Sequence, residues 1–142
     1  MLLNIENDPR DHSSCALSYN ETEGWIVAVW QGYVDQREAM RGAEAYLEHA
    51  LTVPCAFLLN DNTRLQGPWF ESSDWLLHVW TPQAKRLGLR YVAHVVQADT
   101  HADLFTHSRQ QPLPFELQLF GNLDDACHWL RQQREAAAEM TP

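Results

Sequence analysis

The stretch Val53–Trp69, V-P-C-A-F-L-L-N-D-N-T-R-L-Q-G-P-W, decides how the rest of the chain is read. Cys55 to Leu59 is a short unbroken apolar run, the signature of a strand covered on both faces. Asn60 to Gly67 is polar and turn-rich, which predicts a loop. Pro68 then opens an apolar-periodic segment, with proline at a first helical position, where its missing N–H costs nothing. Strand, loop and helix in that order make the unit from which parallel sheets build their binding edge.

Upstream, Cys15–Asn20 and Trp25–Gln31 are two β-rich runs joined by a short polar link ending in Gly24, which predicts a hairpin. Both faces of the second run are apolar, so that strand belongs inside its sheet. Residues 1–13 read as a loose or edge-pairing lead-in. Asp35 followed three residues later by Glu38 is a capping-box spacing. Met40, Ala43, Leu47, Ala50 and Leu51 recur at helical intervals, and Val53-Pro54 stops the helix, since proline disfavours the helical state in the residue before it.

Downstream, Trp69, Leu76, Trp80, Ala84 and Leu87 form one helical stripe, with Glu71, Asp74, His78 and Lys85 opposite. Pro82 falls inside that pattern and predicts a kink near His78–Thr81 or a restart at Thr81. Gly88 suits the residue after a helix end. A strand follows in L-R-Y-V-A-H-V-V. A short helix from Thr100 to about His107, a half-exposed edge strand over Phe115–Phe120 and a last helix capped by Asn122 complete the chain. Leu123, Ala126, Cys127 and Leu130 are its expected core, with Trp129 at the flank. The element order β-β-α-β-α-β-α-β-α implies an α/β fold: one domain spanning 1–142 with its core at about 14–131. Its sheet is mixed and mostly parallel, of about five strands, with about four helices.

Composition narrows the function classes. The 142 residues carry 19 acidic against 10 basic side chains, a net charge of −9, and Lys85 is the sole lysine. Such a surface repels phosphate backbones and anionic headgroups, so nucleic acid is not the expected partner. No run approaches the roughly 18 apolar residues of a membrane span, and no signal peptide is read at the start. Three cysteines, odd in number and without C-x-x-C, indicate neither a disulfide framework nor zinc. Buried inert thiols in a cytoplasmic protein are the expectation.

Several of these residues together resemble the STAS/SpoIIAA-like proteins, in their small stand-alone bacterial form. The pattern comprises W-x-G at Trp30 and Gly32, an apolar strand ending in N-D-N at Asn60–Asn62, and W-x4-W-x-P at Trp75, Trp80 and Pro82. G-L-x-Y-x-A at Gly88–Ala93 follows. F-x-x-x-D-D-A-x-x-W-L, with Phe120, Asp124, Asp125, Ala126, Trp129 and Leu130, closes it. The resemblance implies a small mixed sheet with packed helices and, in the signalling branch, a protein–protein role without chemistry of its own. The best-known members antagonise anti-sigma factors through a phosphorylated Ser or Thr in D-S-S-G or D-S-T-G. This chain departs there, with D-N-T-R-L-Q-G in its place, so Thr63 is the sole candidate for a phosphoswitch near the following helix.

The expected site is therefore the 61–75 segment: Asp61, Asn62, Thr63 and Arg64 at the strand end, and Trp69, Phe70 and Trp75 on the helix. Against it stands the plainer role of Asp61 and Asn62 as loop ties through Asx turns. Asp99, His101, Asp103 and His107 are the one His/carboxylate cluster, read as a solvated helix start rather than a metal site. His94 reads as a hydrogen-bonded core residue. Three functions follow. The first is a non-enzymatic interaction module meeting a protein partner or a second copy of itself as a homodimer. The second is a carrier or sensor of a small apolar ligand or lipid, with a pocket under the 61–75 loop, for which a Trp-lined cavity of roughly 300 Å³ is the mark. The third, a hydrolase-type enzyme on Asp61, Arg64 and His94, has no nucleophile–base pair behind it. No cofactor or metal is expected.

Overall fold

The computed structural model describes residues 2–8, 13–67, 69, 74–98 and 113–139. Six strands form one sheet in sequential order: β1 (Leu2–Asp8), β2 (Ser13–Asn20), β3 (Trp25–Gly32), β4 (Phe57–Leu65), β5 (Tyr91–Val95) and β6 (Glu116–Phe120). The first two pairings are antiparallel, and β3 through β6 run parallel. Three helices are described: α1 (Gln36–Thr52), α2 (Thr81–Arg86), led in by a π-helical turn over Leu76–Trp80, and α3 (Leu123–Glu139). The lead-in is thus a sixth strand paired on the edge rather than loose chain. The helix expected over 100–107 lies outside the described residues, as do Asp99, His101, Asp103 and His107.

Local chemistry explains the boundaries. The Asp35 carboxylate accepts from the Glu38 backbone N–H at 2.8 Å and so caps α1. The Glu38 carboxylate is buried and accepts from Ser13 Oγ on β2 at 2.9 and 2.7 Å, tying helix start to sheet. Pro82 has no N–H for its helix, and the chain accommodates it by widening one turn. The Thr81 backbone N–H reaches back to the Leu76 carbonyl, which also receives Thr81 Oγ1 at 2.9 Å. At the other end Gly88, at φ 108°, bonds to Lys85 O while Leu89 N–H bonds to Ala84 O, a Schellman closure that only a residue at ease with positive φ completes cheaply.

The helices divide between the two faces. Ala28, Leu58 and Val92 look toward α1 and α2, where Gly42, Ala43, Tyr46, Leu76 and Trp80 close the core. The other face packs on α3: Trp129 lies across Tyr91 (6.2 Å) and Phe120 (5.7 Å), while Arg131 and Arg134 stand over Trp25. Ala126 and Leu130 anchor α3 as expected. Cys127 is half-buried, and Leu123, the first residue of α3, is exposed rather than core.

Candidate functional site

The segment read as a polar loop is mostly strand. β4 continues through Asn60, Asp61, Asn62 and Thr63 to Leu65, and the first three of those polar residues are buried. A strand tolerates them because each finds a partner on its own side. Successive side chains point to opposite faces. Asn60 pairs in register with His94, and Asp61 with Val95. Asn60 and His94 therefore share the α1/α2 face, while Asp61 lies on the α3 face. A bulge between Val29 and Gln31 sets Asn62 and Thr63 opposite the single residue Trp30, a device common where a strand edge is re-aimed.

On the α3 face, Asp61 Oδ1 accepts from the Thr63 N–H at 2.9 Å and from Thr63 Oγ1 at 2.7 Å. That is an Asx-type tie, the plainer of the two roles weighed for Asp61. Thr63 and Arg64 are exposed. The four residues of the expected cluster are thus divided, and Asp61 and His94 are not brought onto one side.

On the α1/α2 face, a hydrogen-bond chain can be oriented atom by atom. Trp30 Nε1 can only donate, so the Asn60 group 2.9 Å from it is the carbonyl oxygen. The Asn60 amide then donates to Asn62 Oδ1 at 3.0 Å and to His94 Nδ1 at 2.9 Å. His94 Nδ1 is accordingly the acceptor, and its ring proton sits on Nε2. Trp69 stacks on the His94 ring (5.8 Å, 18°) and meets Trp30 edge-on at 5.2 Å. The Asn62 amide nitrogen is buried without a partner.

Beside this cluster lies an apolar chamber of about 50 Å³, walled by Trp30, Trp69, Trp80, Tyr46, Asn60 and His94. Trp80 Nε1 donates to the Ala43 carbonyl at 2.8 Å, fastening the π-helical turn before α2 to α1, and burial raises the Tyr46 hydroxyl well above its usual pKa. Of the helix residues expected at the site, Trp69 is buried against the chamber and Trp75 is half-buried outside it; Phe70 lies outside the described residues. Asn60 was legible only as the start of a loop. The signal for it was its i, i+2 spacing from Asn62, which places both amides on one strand face.

A second concavity lies on the surface between α1 and α2. Glu44, Leu47, Glu48 and Leu51 form one wall, and Trp75, Val79, Gln83, Arg86 and Leu87 form the other. Among the described residues, no group of three or more His, Cys, Asp or Glu is placed to hold a metal, and no helix is long and apolar enough to cross a membrane.

Sequential strands, an antiparallel opening hairpin and helices on both faces define a mixed α/β protein with a SpoIIAA-like fold. That assignment rests on a solved structure, an uncharacterised DUF3478-family protein with a SpoIIAA-like fold from Shewanella loihica PV-4. The two chains share 18% identity over 88% of this chain and 98% of that one, with a TM-score of 0.51. No protein-family model and no curated protein matches the chain.

Proposed function

We propose that this chain is a non-enzymatic interaction module that receives a protein partner in the groove between α1 and α2. The observation that carries the reading is the apolar floor of that groove. Leu51 is 69% exposed and Val79 41% exposed, with Leu47, Trp75 and Leu87 half-buried beside them. Single exposed leucines are ordinary, whereas a contiguous set on two facing helices with a charged rim marks a contact surface. Covering Leu51 and Val79 would contribute up to about 1.5–3 kcal/mol each from apolar burial. The division of Asp61 and His94 between the two sheet faces supports a role without catalysis. A phosphate at Thr63 would stand against the Asp61 carboxylate, so regulation at Thr63 is not part of the reading.

A photo-crosslinking side chain in place of Leu51, with Glu135 on exposed α3 as control, tests the groove in cells that express the protein. Adducts at position 51 and none at 135 support it. Equal labelling at both positions, or none at either, refutes it.

The chamber motivates a second reading, a small-ligand sensor. At about 50 Å³ it falls well below the roughly 300 Å³ at which drug-sized pockets begin. Its ligand would be apolar and no larger than a few heavy atoms. Titration with small hydrocarbons, read at the Trp30 and Trp80 indole N–H resonances by NMR, tests this. Resonances unmoved at the solubility limit of the hydrocarbon exclude it.

A further inference from the structure

The groove carries charges of opposite sign on its two walls, and these do not pair across it. Glu44 and Glu48 line the α1 wall. Arg86 lines the α2 wall and donates to the Pro82 carbonyl of its own helix. A uniformly basic partner would match the first wall and be repelled by the second, and a uniformly acidic one the reverse. The partner surface must therefore present acid opposite Arg86 and base opposite the glutamates, with apolar side chains between.

This chain's own groove has that arrangement. The helices α1 and α2 each return from the end of one parallel strand to the start of the next, so they run in the same direction. A two-fold axis lying along the groove stacks α1 of one copy on α2 of the other. The glutamate wall of each copy then meets the Arg86 wall of the other, and Leu51 and Val79 are covered in both copies at once. An axis across the groove would stack α1 on α1 and set acid against acid. Charge thus favours the axis along the groove over the axis across it.

Resting on the reading of the groove as a contact surface, we propose that its partner is a second copy of this chain, docked groove to groove about a two-fold axis along the helices. The net charge of −9 opposes association at low ionic strength, so the test belongs at about 0.15 M salt, where screening confines charge effects to roughly 8 Å. Sedimentation velocity on the intact chain should show a concentration-dependent dimer. Arg86→Glu alone, and Glu44→Arg with Glu48→Arg, should each weaken it about tenfold, because two-fold symmetry repeats every altered contact. The three changes combined should restore it, and circular dichroism should show all variants folded. A monomer at every concentration overturns the proposal, as does a dimer indifferent to the charge reversals. Crosslinking from position 51 separates the two levels. An adduct with the chain itself supports the proposal. An adduct with a different protein, alongside a monomer in sedimentation, overturns the second copy and leaves the groove reading standing; no adduct overturns both.

Discussion

Replacing Gly42 with alanine should destabilise the protein even though alanine is the better helix former. Gly42 lies in the interior of α1, where exchange for alanine ordinarily contributes about 1 kcal/mol of stability. Here the helix passes so close to the sheet that an added Cβ would stand 2.6 Å from the far ring carbon of Trp30, 3.0 Å from Cys15 Sγ and 3.2 Å from Cys15 Cβ. Trp30 cannot swing aside freely, because its ring N–H is held by Asn60 and its edge abuts Trp69. Overpacking of this kind costs about 1–3 kcal/mol, so the net expectation is a loss of roughly 0–2 kcal/mol where propensity alone predicts a gain. Urea unfolding followed by far-ultraviolet circular dichroism measures it directly. A double-mutant cycle with Trp30→Phe, which removes the clashing carbon, should show the cost of Gly42→Ala falling by at least about 1 kcal/mol in the Phe background. A Gly42→Ala protein more stable than the parent, or a cycle with no coupling, would refute the close approach of α1 to β3.

Three further outcomes are expected. Asn60→Ala strips the acceptor from the buried Trp30 ring N–H and the donor from His94 Nδ1, and should cost about 2–4 kcal/mol in chemical denaturation; a loss below about 0.5 kcal/mol would contradict the network. Hydrogen bonds from Arg131, with a further contribution from Arg134, hold the Glu23 carboxyl below its ordinary pKa. A lowered folded-state pKa stabilises fully above the unfolded value near about 4.3 and fades as pH falls through the folded one, so Glu23→Gln should reduce the loss of stability in acid and leave a smaller pH dependence in thermal unfolding below that range. Thr63→Glu places a second carboxylate beside Asp61 and should lower the melting temperature, whereas Thr63→Val should lower it less; equal melting temperatures for the two would remove the repulsion argument.

Much of the fold is legible because local chemistry and tertiary packing agree. The hairpin, the Asp35 cap, the stop before Pro54, the disruption at Pro82 and the Gly88 closure each follow from one or two residues whose backbone demands cannot be met otherwise. The 60–65 segment is where they disagree. N-D-N-T-R has the composition of a loop, and its strand geometry comes from partners distant in sequence: Trp30 for Asn60, and Val29 and Val95 across the ladder for Asp61. Those contacts outweigh a weak local preference. A loop would leave Asp61 to Arg64 together on one exposed bend, whereas a strand sends neighbours to opposite faces. Leu123 reads as core from its spacing alone, yet as the first residue of α3 it stands exposed.

The indole of Trp80 reaching the carbonyl of Ala43 bears on how the molecule meets its surroundings. Apolar helix pairs can slip along one another, since one greasy ridge fits the next notch almost as well as the first. A single polar peg seated against a backbone carbonyl opposes that motion, because moving by a turn would strand the buried indole N–H away from water. The outer surfaces of the two helices are thereby locked in step, so under the proposed docking a partner would meet a landing pattern already assembled, at little further cost in freedom to the host.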